Sequence, residues 1–134
     1  MKRFLLLLMV LLLTACQSKA IGGEKVEVSG GSYQNVTSDE LHIMLKEKDF
    51  VLVNVHIPFA GNIEGTDQSI AYDQIEPNVS QLPPDKNAKI VLYCRSGHMS
   101  QIAAGKLVAL GHTNVWNLKG GMVEWEKAGF DLEK

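Results

Sequence analysis

The chain is 134 residues long, 46% hydrophobic and 21% charged, with a formal net charge of -2. That length suits one domain able to bury a core without staples. The near-neutral charge argues against a nucleic-acid binder, two cysteines exclude a disulfide-framework miniprotein, and the composition lies away from the disordered class.

Met1-Lys2-Arg3 is followed by an unbroken apolar run from Phe4 to Leu13, and then by Thr14-Ala15-Cys16. A basic start, a short apolar run and a small-residue exit read as a secretory signal peptide. The run falls short of the roughly 20 residues a spanning helix needs. Leu13-Thr14-Ala15-Cys16 resembles the bacterial lipobox, Leu-x-Ala/Gly-Cys. That resemblance implies cleavage after residue 15, acylation of Cys16 and attachment to a membrane at the cell envelope. In a Gram-negative cell this is the periplasmic side of the outer or inner membrane, and Gln17, in place of Asp, favours the outer one. In a Gram-positive cell it is the outer face of the plasma membrane. Losing residues 1–15 removes Lys2 and Arg3, which leaves 11 basic against 15 acidic side chains and a charge of -4. Gln17 to Ser32 carries four glycines and few large apolar residues, so residues 16–32 are expected to form a flexible tether.

Residues 33–134 read as one domain. Tyr33 to Val36 suits a short strand, and Thr37-Ser38-Asp39-Glu40 has the capping-box spacing ahead of Leu41, Met44 and Leu45 at helical intervals. Val51 to Val55 is β-branched and almost wholly apolar, as a strand covered on both faces should be. His56 to Ser69 is a long connection, and Pro77, Pro83 and Pro84 punctuate another, with a short helical turn closing near Leu82. Lys89 to Tyr93 is a second central strand, Ser100 to Leu110 a helix stopped by Gly111. Asn114 to Leu118 is a further strand, Gly120-Gly121 a turn, and Met122 to Lys127 a closing helix. Strands alternating with helices predict an α/β fold, a mainly parallel central sheet with helices on both faces.

Chemistry concentrates after the second central strand, in Cys94-Arg95-Ser96-Gly97-His98-Met99-Ser100. The carboxyl end of such a strand is where open α/β sheets bind ligands. Backbone N–H groups of a tight loop entering a helix converge into an anion cradle, which favours a thiolate. Arg95 is the only arginine left after cleavage. Polar, turn-forming neighbours place the Cys94 thiol at a rim, whereas an inert buried thiol is the plain alternative. With Cys16 acylated, Cys94 has no partner for a dithiol cycle.

The loop resembles the active-site loop of the rhodanese-like sulfurtransferases, usually Cys-Arg-x-Gly-x-Arg-Ser. Leu118 to Trp125 is similar to that family's Leu-x-Gly-Gly-x-x-x-Trp; Val53-Asn54-Val55-His56 falls where the family has Asp-Val-Arg, and Asn62 to Thr66 where it has His-Ile-Pro-Gly-Ala. The match runs over about residues 33–130 with the blocks in order. It implies the three-layer rhodanese-like fold and a persulfide cycle with no cofactor and no metal. Cys94 would take a sulfane sulfur from a thiosulfate-like or persulfide donor and yield it to a thiol or cyanide-like acceptor, either of which could be a protein. Arg95, Ser96, Gly97, His98, Met99 and Ser100 would bind the sulfur anion, with His56 at the neighbouring strand end lining the pocket. Met99 replaces the loop's second arginine, and Asn54 and His56 replace an Asp and an Arg, which disfavours a dianionic donor.

Two rivals stand beside this reading. A cysteine phosphatase or arsenate reductase also uses a Cys loop entering a helix, but the phosphatase pattern needs Arg six residues after the cysteine, and that position is Ser100. The other is a non-catalytic rhodanese-like binding module tethered at the envelope. His42 and His112 are expected at a helix surface and a turn, and Trp116 and Trp125 in the core.

Overall fold

The computed structural model describes residues 21–134. The segment expected to be a signal peptide, the lipobox-like Leu13 to Cys16 pattern and Cys16 itself lie outside the described residues. Among the described residues there are six strands: β1 (Glu24–Val28), β2 (Gly31–Val36), β3 (Val51–Asn54), β4 (Gln68–Ser69), β5 (Ile90–Tyr93) and β6 (Val115–Leu118). Three helices accompany them: α1 (Ser38–Lys46), α2 (His98–Ala109) and α3 (Gly121–Lys127). The sheet order is β1-β2-β6-β5-β3-β4, antiparallel only between β1 and β2. This is the expected α/β architecture.

The second half of the expected tether, residues 16–32, is instead part of the sheet. Residues 24–28 form a strand, joined to β2 through Ser29 and Gly30, with Val28 opposite Gly31. Gly30 holds φ +91°, which suits a glycine in the turn. Val26 and Val28 alternate with charged residues and pack against the core on one face.

Alternation along the strands builds two cores. Val53, Ile90 and Leu92 point toward α2, where Ala103, Ala104 and Leu107 meet them. Leu52, Val91, Tyr93 and Leu118 point the other way, onto Leu41 of α1 and Met122 and Trp125 of α3. The capping box forms: the Glu40 N–H donates to Thr37 Oγ1 at 3.2 Å, and the Thr37 N–H donates to Glu40 Oε2 at 3.0 Å. The helical turn expected near Leu82 is a 3-10 turn at Val79–Gln81. His112 does follow α2 in a turn, but it is buried rather than exposed, packed so that Nδ1 meets no protein acceptor among the described residues. No helix among the described residues is long and apolar enough to cross a membrane.

Candidate functional site

Cys94 is the first residue past β5 and keeps the strand's alternation, so its side chain falls in phase with Ile90 and Leu92 toward α2. It is 1% exposed, not at a rim. The loop folds back over the sulfur and covers it. The Gly97 N–H donates to Sγ at 3.0 Å, and Ser100 Oγ lies 3.4 Å from Sγ while donating to the Gly97 carbonyl at 3.1 Å. The N–H groups of Arg95, Ser96, His98, Met99 and Ser100 find no protein acceptor among the described residues. Gly97 precedes α2 at φ +101° and supplies no side-chain cap, so the first turn of the helix keeps its donors free. A buried sulfur that takes one N–H thus shares a single turn of chain with five N–H groups that have no protein acceptor among the described residues.

Two glycines let this happen. At Gly121, φ +56°, an added Cβ would stand 2.3 Å from the Cys94 carbonyl oxygen; at Gly97 it would stand 3.3 Å from the Gly120 nitrogen. The close approach permits hydrogen bonds from the Met122 N–H to the Cys94 carbonyl and from the Val123 N–H to the Arg95 carbonyl, both 2.9 Å. The Gly120-Gly121 turn is therefore the backrest of the loop.

The structure brings Cys94, Gly97 and Ser100 together and spreads the other candidates around them. Arg95, Ser96 and His98 are exposed, and Met99 is half-buried against the α2-side core. Arg95 shares a pocket of about 440 Å³ with Phe59, Gly61, Met122, Glu126 and Lys134; Cys94 is not on its wall. His56 follows β3, whose end is tied to β5 by the Val55 N–H donating to the Tyr93 carbonyl at 2.9 Å. Burial, and then the charge of Arg95, hold the His56 imidazole below its usual pKa, so it is neutral at pH 7.

A network beneath the site escaped the sequence reading. Buried Asn54 donates through Nδ2 to the Gly61 carbonyl and to Asn62 Oδ1, both at 2.9 Å, and accepts the His56 N–H at 3.0 Å through Oδ1. The Tyr93 hydroxyl accepts the Ile63 N–H at 3.0 Å, lies 2.7 Å from Thr66 Oγ1 and donates to Asn62 Oδ1 at 3.3 Å. These bonds fix the His56-to-Thr66 connection over the sheet end. A buried strand Asn and a strand-end Tyr were the available signals. Elsewhere, exposed His42 stacks on Phe130 at 4.2 Å, and Trp116 and Trp125 are buried as expected. No group of three or more His, Cys, Asp or Glu side chains placed to hold a metal occurs among the described residues.

The model of the rhodanese-like domain family matches residues 38–128. A protein named sulfurtransferase from Allochromatium vinosum is 30% identical over 87 residues, 63% of this chain and 79% of that protein. The adenylyltransferase and sulfurtransferase UBA4 of Candida albicans is 32% identical over 106 residues, 76% of this chain but 24% of the relative's length. Among solved structures, a rhodanese-like domain protein from Staphylococcus aureus is 28% identical with a TM-score of 0.62, covering 75% of this chain and 98% of that one. A protein of unknown function from Rhodopseudomonas palustris, described as a possible tyrosine phosphatase, is 26% identical with a TM-score of 0.65, covering 75% of this chain and 85% of that one. Here the position six residues past the cysteine carries the Ser100 hydroxyl rather than a guanidinium.

Proposed function

The chain belongs to the rhodanese-like domain family, and from that membership we propose that it is a sulfurtransferase carrying a sulfane sulfur on Cys94. The observation that supports this reading is the Cys94 sulfur receiving the Gly97 N–H beneath a turn of otherwise unused amides. Donors aimed at a sulfur anion in a water-poor turn stabilise it without reorganising. In the first step the Cys94 thiolate attacks the outer sulfur of a thiosulfate-like or persulfide donor. A new S–S bond forms, the donor's S–S bond breaks, and sulfite or a thiolate leaves with the electron pair. In the second step an acceptor thiolate or cyanide attacks the outer sulfur of the Cys94 persulfide, takes it, and returns Cys94 as thiolate. Two easier displacements replace one transfer. Arg95 is the exposed cation nearest the sulfur in sequence and would meet the incoming anion, while His56, neutral at pH 7, adds no charge. One loop cation suits a persulfide or monoanion better than a dianion.

Burial of Cys94 favours a second reading, a binding module without turnover. One experiment separates the two. After incubation of the chain with thiosulfate, cysteine persulfide or inorganic polysulfide, intact mass should rise by one sulfur atom, and Cys94→Ser should abolish the gain with its circular dichroism unchanged. Failure of every donor to load wild-type chain would overturn the enzymatic reading and leave the binding module. For the N-terminal segment we propose acylation of Cys16 and retention at the cell envelope, supported by the Leu13 to Cys16 pattern. A diacylglyceryl adduct on the Cys16 peptide of the membrane fraction is the expected finding.

A further inference from the structure

The start of the domain and the covered sulfur lie at the same end of the sheet. β1 is antiparallel to β2, so Glu24 pairs with Asn35 near the end of β2. β6, β5 and β3 run parallel to β2 and finish at that end with Leu118, Tyr93 and Asn54. Lys119, just past β6, reaches Glu24 at 3.1 Å. Ahead of β1, Ile21 packs against the core shared with α1 and α3. A Cβ on Gly23 would stand 2.9 Å from the Trp116 ring. The chain is thus held to the domain from Ile21 onward, and residues 17–20 alone separate that point from Cys16. Five Cα-to-Cα steps at full extension keep Cys16 within about 18 Å of Ile21.

The same end carries an apolar projection. Past β3, Ile57 is 39% exposed and Phe59 63%, the highest exposure among large apolar side chains of the described residues. Phe59 lines the pocket that also holds Arg95, Lys134 and Glu126. β3 stands three strand spacings from β2, about 14 Å across the sheet end. Both this projection and the Cys16 attachment point therefore lie within one short span of the same surface.

We propose that this end of the domain rests on the lipid bilayer, with Ile57 and Phe59 in the headgroup region and the Cys94 turn directed at the membrane. The proposal rests on the reading of Cys16 as acylated. A lipid surface is the occupant because an anchor within about 18 Å leaves the domain no room to turn its far end inward. An exposed aromatic beside cationic stems, moreover, suits the boundary between headgroups and acyl chains. Sulfur compounds that partition into membranes would then reach the site from the lipid side.

The test uses the full lipidated chain in phosphatidylethanolamine–phosphatidylglycerol vesicles. In a Cys94→Ser background, an NBD fluorophore is placed through Phe59→Cys and, separately, through Ala109→Cys at the opposite end of the sheet. Headgroup-level spin-labelled lipids should quench the position-59 probe at least about two-fold more than the position-109 probe, as interfacial contact requires. Equal quenching at the two positions, or none at 59, overturns the proposal. A mature chain whose Cys16 lacks acyl groups in the mass spectrum overturns it as well and identifies the anchor reading as the fault. Sulfur loading of the unsubstituted chain on the same vesicles is scored independently, so failure of the transfer reading is distinguishable from failure of membrane contact.

Discussion

Gly121 sets how closely the closing helix can approach the sulfur-bearing turn, and a single methyl group is enough to test it. An alanine there would need left-handed backbone and would drive its Cβ into the Cys94 carbonyl. Gly121→Ala is expected to cost about 2–4 kcal/mol of stability and to weaken sulfur loading by displacing the turn. Gly105, inside α2 with nothing within 4 Å of its virtual Cβ, makes the opposite control. Gly105→Ala should add about 0.5–1 kcal/mol. Urea denaturation of both variants reads the contrast, and equal shifts would remove the steric account. At this scale the sequence was informative about chemical type and less so about depth. Cys94, Arg95 and the Gly-Gly pair were legible as a site. Burial of Cys94 was not, because polar neighbours in a turn look exposed whichever way the turn folds. The Tyr93 hydroxyl reaches back 27 to 31 positions to the connection that Asn54 also holds, and no local pattern announces that meeting.

Among the elements, β1 differs most from expectation. Glu24 to Val28 has two apolar residues among three charged ones and lies between two glycine pairs, which is also the composition of a linker. Only pairing with β2 along five residues, and the docking of Val26 and Val28, distinguish it. Deleting residues 24–30 should lower stability by about 1–3 kcal/mol and leave the edge of β2 open to pairing with other chains. Denaturation midpoints and light scattering check both effects; an unchanged midpoint would return the segment to the status of tether. The central strands and α1 were legible for physical reasons. β3 and β5 are buried on both faces and so nearly continuous in apolar residues, and α1 begins on a capping box that needs only its own four residues. β4, two residues long, carries no pattern at all.

The whole molecule should feel acid through three groups. His56 and His112 are held below their usual pKa, each chiefly by burial and then by a neighbouring cation, Arg95 or Lys86. The unfolded chain therefore binds those protons first. The histidines' contribution is whole above about pH 6.5 and is lost as pH falls through their depressed values. Asp67 adds a lower step. Burial raises its pKa, but the Leu52 N–H at 2.8 Å and the Lys48 ammonium outweigh that and lower it overall. Its contribution is whole above about pH 3.9 and disappears as pH falls through its lowered value. Urea midpoints should accordingly decline from pH 7.5 to pH 5.5, less steeply in His112→Gln; a flat wild-type profile would contradict the assignment.

Asn54 occupies the strand-end position where the family usually carries a carboxylate, and its amide latches the connection that walls the pocket. Its partners are the Gly61 carbonyl, the Asn62 amide and the His56 backbone N–H, and Asn62 in turn accepts from the Tyr93 phenol, whose pKa burial raises further. None of these groups changes charge in mildly acidic or mildly alkaline surroundings. The connection consequently keeps its shape when the medium sours, while the half-buried His56 imidazole gains a proton and with it a positive charge in the field of Arg95. Acid thus changes the charge beside Arg95 without remodelling the frame around it, a division of labour between an indifferent scaffold and one responsive ring.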